Sequence, residues 1–186
     1  MTLECYPLTP ERWPDLERLF GARGACGGCW CMVWRRKRAD FQRSKGEPNR
    51  EAFLRIVERG PAPGVIGYLA GAPVGWCAVA PRSEYVALAN SRILKPVDDR
   101  PVWSVSCLFI ARKHRGQGLS AALIRAAVEM AASRGARIVE AYPVEPRSRQ
   151  ADAFMWTGLA SAFARAGFKE AARRSASRPI MRIECQ

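Results

Sequence analysis

No apolar run in this sequence approaches the ~20 residues that a membrane-spanning helix needs, and "MTLECYPLTPERW" at the N-terminus has neither the basic start nor the apolar stretch of a secretory signal. A cytoplasmic protein is therefore expected, with reduced thiols and no disulfide framework among its 7 cysteines. Internal repeats and low-complexity linkers are absent. Acidic residues are scarce: 17 Asp and Glu stand against 30 Lys and Arg, a formal net charge of +13. That charge suits nucleic acid, an acidic membrane surface or a phosphorylated ligand. The basic residues are scattered rather than clustered, apart from 35–38 and 112–115, and no aromatic-basic RNA motif or helix-turn-helix pattern accompanies them. Nucleic-acid and membrane partners are not expected.

What is present describes a globular chain. Its 186 residues, 48% hydrophobic and 25% charged, are enough for one domain with a substantial core. "LECYPL" reads as a first strand. A helix opens near Pro10 or Pro14, with Trp13, Leu16 and Phe20 on one face, and a second runs from Glu47 to Arg59, with Pro48 in its first turn and Gly60-Pro61 as its stop. "PGVIGYLAGAPVGWCAVAP" reads as a hairpin turning at 70–73, and a polar loop over 82–100 leads to the strand "PVWSVSCLFIA". The next helix is expected to reach about Arg134, with Leu119, Leu123, Ala126 and Met130 in a stripe and Gly135 just past its end. "ARIVEAYPV" is a fifth strand, "ADAFMWTGLASAFARAG" is expected to be helical throughout, and two short strands close the chain at 168–172 and 179–183. The order is β-α-α-β-β-β-α-β-α-β-β, a mixed sheet of the α+β type covered by helices.

The densest chemical signal is "KHRGQGLSAALIRAA", a basic glycine turn between a strand and a helix. The first amides of a helix have no internal partners and together carry roughly half a positive charge, so such a turn binds anions. Gly116 and Gly118 remove side chains that would hold an anion away, and Lys113 and Arg115 add charge. No Lys-Ser/Thr pair follows the glycines, which excludes the nucleotide P-loop, and the three-glycine dinucleotide fingerprint is missing too. A turn that needs glycine only for its backbone angles is the plainer alternative.

"VSCLFIARKHRGQGLSAALIRAAVEMAASRGARIVEAYPV" resembles the core motif of the GNAT superfamily of acyl-CoA-dependent N-acetyltransferases. The family's Arg/Gln, two residues, Gly, one residue, Gly or Ala falls on Arg115, Gly118 and Ser120, with Ser in the last small-residue place. "GAPVGWCAV" resembles its central hairpin and "SAFARAGF" its last helix, and the likeness extends from about residue 1 to 184. A bacterial branch of that family with "CWCM" near the N-terminus and "VEAYPV" on the fifth strand is closer still. The resemblance implies a GNAT fold of about seven strands and about four helices in one domain over 1–186, splayed between strands 4 and 5. It further implies acetyl-CoA as cosubstrate, with pantetheine on the main chain of Leu108, Phe109 and Ile110 and the diphosphate on Arg115, Gly116, Gln117, Gly118, Leu119 and Ser120. An amine would attack the thioester directly, the oxyanion being held by an N–H of the fourth strand. Paired subunits are common in the family, so a homodimer is expected.

The acid and base differ from the family's habit. Phe163 stands where many members carry a tyrosine acid, and Ser104 where histone-acetylating members carry a glutamate. On the fifth strand Ile138, Glu140 and Tyr142 share one face, Val139 and Ala141 the other. A carboxylate and a phenol in an apolar strand are costly without a task. Glu140 is the candidate base and Tyr142 the candidate acid, with Ser104 able to hold a water; structural pairing of Glu140 with an arginine is the alternative. Cys107 lies on the fourth strand as packing or, less expectedly, as an acyl acceptor, and His114 faces phosphate or solvent. Cys26, Cys29 and Cys31 form C-x2-C-x-C without an evident fourth ligand, so no metal is expected. The same segment supplies Trp30, Met32 and Trp34 as candidate acceptor-pocket walls. A positive protein is a poor collector of polycations unless Glu84, Asp98, Asp99 and Glu145 make the cleft acidic. Two other functions fit the sequence: a GNAT-like domain that binds acyl-CoA without catalysis, and a basic regulatory protein.

Overall fold

The structure, a computed structural model, describes residues 2–146 and 155–185. Its centre is a 7-stranded sheet made of β1 (Glu4–Pro7), β2 (Gly64–Leu69), β3 (Ala72–Pro81), β4 (Trp103–Ile110), β5 (Ile138–Ala141), β6 (Lys169–Arg173) and β7 (Pro179–Glu184), in the order β1-β2-β3-β4-β5-β7-β6. Every neighbouring pair is antiparallel except β4 with β5. The expected helices are α1 (Trp13–Phe20), α3 (Glu47–Arg59), α5 (Leu119–Ala132) and α6 (Ala160–Arg165). Two short ones join them: α2 (Arg38–Arg43), and α4 (Val86–Ala89) within the stretch expected to be loop.

Period-2 alternation sends β3 residues to two different cores. Cys77 and Val79, with Val105, Val139, Ala141 and Met181, meet α5 and Phe163 of α6. Trp76 and Ala78 face the other way, against Trp13, Leu16 and Phe20 of α1 and Phe53 and Val57 of α3. Among the described residues, no long helix covers the β4–β5 half of that second face. There the 82–102 segment supplies Tyr85, Leu88 and Leu94, which pack on Ala80, Tyr142 and Ile180.

Three expectations shift. The buried stripe of α5 holds Leu123 and Met130 but is centred on Ala127, leaving Leu119 and Ala126 partly exposed. α5 stops at Ala132, and Gly135, at φ 86°, passes its N–H back to the Ala132 carbonyl. The last long helix is much shorter than expected: of the 151–167 span, 151–154 lie outside the described residues, and only Ala160–Arg165 is α-helical. Gly158 explains the late start. Its φ is 81°, and a Cβ there would lie 2.8 Å from the Phe163 ring. The chain turns where a helix cannot run.

Candidate active site

β4 carries the site, and one irregularity shapes it. Ala78 pairs with Cys107 but Val79 with Val105, so Ser106 is an extra residue, a β-bulge that turns both Ser106 and Cys107 away from α5. Parallel pairing with β5 covers Trp103, Ser104 and Val105 and then ends. Beyond it the strands part. The Ala111 N–H bonds Val74 on β3, so by alternation Leu108 and Ile110 turn their main-chain groups into the gap. Residues 156–160 enter it: the Leu108 N–H donates to the Trp156 carbonyl at 2.7 Å, the Val144 N–H to Gly158 at 2.8 Å, and the Ala160 N–H to Val144 at 3.0 Å. Arg178 anchors this segment by donating to Thr157 Oγ1 and to the Tyr142 carbonyl, at 2.8 and 3.0 Å.

At the C-terminal end of β4 the chain makes a short 3-10 turn, Arg112–His114, and enters α5 through Gly118. Gly116 and Gly118 have φ of 75° and 76°, and a Cβ at either would meet nothing within 4 Å. The positive φ alone calls for glycine at both positions, and the space beside the first amides of α5 is open. The Arg115 Nε donates to the Ile110 carbonyl at 2.9 Å, which ties the turn to the end of β4.

The three candidate catalytic side chains meet in one buried chain of hydrogen bonds. The Tyr142 hydroxyl donates to Glu140 Oε1 at 2.7 Å and shares a 2.8 Å hydrogen bond with Ser104 Oγ. The alternative reading, Glu140 paired with an arginine, also holds, and with two partners the sequence did not single out. Arg82 donates to Glu140 Oε1 at 3.1 Å and also bonds the Tyr142 hydroxyl. Arg182, opposite Glu140 on β7, donates through Nε to Oε2 at 2.7 Å and passes its other nitrogens to Asp98 at 2.7 and 3.2 Å. Glu140 and Tyr142 are both fully buried. Burial and the Glu140 charge push the Tyr142 phenol well above its usual range, while hydrogen bonds from Arg182 hold Asp98 well below the carboxylate range. The cost of a carboxylate in an apolar strand pointed to an arginine partner; what could have singled out Arg182 is the alternation that puts it on one face of β7 with Ile180.

The N-terminal segment is mostly core. Trp30 stacks on Trp13 with centroids 5.9 Å apart and abuts Phe20 at 5.6 Å, and Met32 is buried beside it. Trp34 is the exception: half-buried, it contacts the Trp156 ring at 5.6 Å. The three thiols go different ways. Cys26 is exposed, Cys29 points to the Gly24 carbonyl at 3.6 Å, and Cys31 accepts the Trp76 indole N–H at 3.0 Å. Among the described residues no three His, Cys, Asp or Glu side chains gather as metal ligands. Buried Cys107 has its thiol pushed up, first by a hydrogen bond with Cys31 and then by burial, which disfavours a thiolate nucleophile. Three of the acids that were to make the cleft negative are paired: Glu84 with Arg35, Asp98 with Arg182, Glu145 with Arg173.

A sheet split between a parallel pair, with an open glycine turn at the mouth of the split, is the frame of a coenzyme-dependent acyltransferase. The model of the GNAT acetyltransferase family matches residues 30–155. The chain belongs to that family, whose members use acetyl-CoA as cosubstrate. No curated protein matches the chain by sequence. Solved structures share its fold at low identity. The PaiA N-acetyltransferase of Thermoplasma acidophilum, in complex with coenzyme A, aligns over 100% of both chains at 14% identity with a TM-score of 0.57. A polyamine N-acetyltransferase of Drosophila melanogaster aligns over 99% of this chain and 100% of its own, at 8% identity and 0.56. An aminoglycoside acetyltransferase in complex with coenzyme A aligns over 98% of this chain and 95% of its own, at 18% identity and 0.54.

Proposed function

We propose that the chain is a single-domain N-acetyltransferase that passes an acetyl group from acetyl-CoA to a primary amine by direct attack in a ternary complex. The observation that carries this reading is the glycine turn with open space beside it, Gly116 to Gly118, at the C-terminal end of a β4 whose pairing with β5 ends at Val105. The amides from Gly116 to Ser120 take the diphosphate, and the pantetheine takes what remains of the β4 edge, since the Leu108 N–H is bonded to Trp156, the Ile110 carbonyl to Arg115, and Phe109 is turned to Trp76 on β3. Acetyl-CoA supplies an activated thioester. The protein supplies position, exclusion of water and a path for protons.

In that path the hydroxyls of Ser104 and Tyr142 face the transfer, and Glu140 acts through Tyr142. With Arg82 and Arg182 on its two oxygens, Glu140 aims the phenol, a positioning residue rather than a free base. Trp34 and Trp156 border the acceptor side. The setting is cytoplasmic, with a homodimer as the expected assembly and no nucleic-acid or membrane partner. In support, several arginines are tied into ion pairs, Arg50, Arg82, Arg173 and Arg182 among them, and no helix of the described residues is long and apolar enough to cross a membrane.

One observation favours a second reading, an acyl-CoA-binding domain without catalysis: the Trp156 carbonyl takes the Leu108 N–H, the donor closest to hand for an oxyanion. Calorimetric titration with acetyl-CoA followed by thiol release over a panel of primary amines separates the two. Micromolar binding with amine-dependent thiol release is expected. Binding without release selects the second reading, and no binding removes both.

A further inference from the structure

Arg35 is the one arginine side chain among the described residues left with buried, unmet donors. Its side chain is 5% exposed and Nη1 is paired with Glu84, yet Nε and Nη2 have no hydrogen-bond partner among the described residues. The Arg35 guanidinium lies over the Tyr85 ring, 4.8 Å from its centroid, and the Tyr85 hydroxyl turns to Ser106. The indole N–H of Trp34, the preceding residue, is buried and unmet as well. Buried polar groups in folded proteins are nearly always hydrogen-bonded, so a half-met, buried guanidinium calls for a ligand with acceptors. Nε and Nη2 form one straight edge of the guanidinium, whose paired N–H groups match the two oxygens of a carboxylate.

The position ties this cluster to the chemistry. Tyr85 lies beside Ser106, the bulge of β4, two residues before Leu108 at the split, or about 7 Å along the strand. The geometry points to an acceptor that carries its own carboxylate: an amino acid, held by its carboxylate on Arg35 while its amine faces the split. This rests on the transfer proposed above and names its substrate class. The neighbouring walls, Trp34 and Trp156, suit an apolar or aromatic side chain, and entry requires their contact to part. A plain polyamine, protonated throughout, has no acceptor to offer the unmet Nε and Nη2 donors.

The test is equilibrium binding to the full chain, with coenzyme A present, of L-phenylalanine, L-methionine and L-leucine against their carboxamides, which keep the amine and lose the charge. The acids are expected to bind on the order of 100-fold more tightly than the amides. Arg35→Gln should erase that ratio, and Arg35→Lys, with charge but no fork, should keep only part of it. Equal binding of acids and amides to the wild type, no binding of the acids, or a ratio that survives Arg35→Gln would overturn the assignment. If Arg35→Gln does not fold, the wild-type ratio and Arg35→Lys decide. Acid-selective binding without thiol release leaves the Arg35 site standing and removes the transfer. Thiol release that does not distinguish acids from amides does the reverse.

Discussion

Glu140 shows what a single residue can announce and what it conceals. A carboxylate inside "ARIVEAYP" is conspicuous, and the alternation that places it opposite Val139 and Ala141 holds in the structure. Its partners are invisible from there, because Arg82 and Arg182 lie 58 and 42 residues away in sequence. Removing one member of a buried ionic group leaves the others uncompensated, which typically costs about 3–5 kcal/mol. Glu140→Gln is therefore expected to lower the melting temperature by about 10 °C. Tyr142→Phe removes one hydrogen-bonding hydroxyl and should cost about 1–3 kcal/mol. Under the proposed mechanism it lowers kcat with little change in the KM for acetyl-CoA, and thermal melts with steady-state kinetics check both. An unchanged kcat for Tyr142→Phe would take the phenol out of the proton path. Arg35 is the opposite case. Nothing in "WRRKR" distinguishes it from its neighbours, and only the burial of its fork does.

At the scale of elements the sequence was legible wherever local rules decide. The face of α1, the bounds of α3, the hairpin expected to turn at 70–73, which the strands narrow to 70–71, and the glycine turn into α5 follow from periodicity and from residues that tolerate positive φ, as Gly71 does at 75°. α6 was misjudged because alanine-rich periodicity hid Gly158, whose contact with Phe163 is tertiary. The Ser106 bulge was equally hidden, since it is defined by β3, not by β4. The turn before α5 gives a direct prediction. In Gly118→Ala the new methyl enters open space, so the stability cost is only the left-handed backbone, roughly 1–2 kcal/mol. The same methyl stands in the proposed diphosphate hollow. Acetyl-CoA affinity is expected to fall about tenfold or more, while the melting temperature falls by about 2–8 °C. Titration calorimetry beside a thermal melt separates these, and unchanged affinity would show that the hollow is not the coenzyme's.

Over the whole molecule the reduced thiols set a pH dependence. Burial pushes Cys29 and Cys5 each up to about 11, so the native state holds their protons more tightly than the unfolded chain does. A group of this kind stabilises the fold fully below its unfolded pKa, near 9, and loses that contribution as pH rises through the folded value. The melting temperature is expected to be level from pH 7 to about 8.5 and to fall between about 9 and 11. Cys29→Ser should flatten part of that fall, and a level curve to pH 11 would contradict the burial of these thiols.

The residues by themselves determined the alternation of the strands, the helix faces and the bare glycine turn that opens α5, because each depends on neighbours a few positions apart. They also determined the net charge. Only the tertiary structure decided where that charge goes: to Glu140, held between Arg82 just past β3 and Arg182 on β7, to Asp98 across from Arg182, and to Arg35 sealed against Tyr85 with its fork unmet. The reason is topological. Backbone preference acts along the chain, whereas charge and burial act across whatever segments the sheet order brings together.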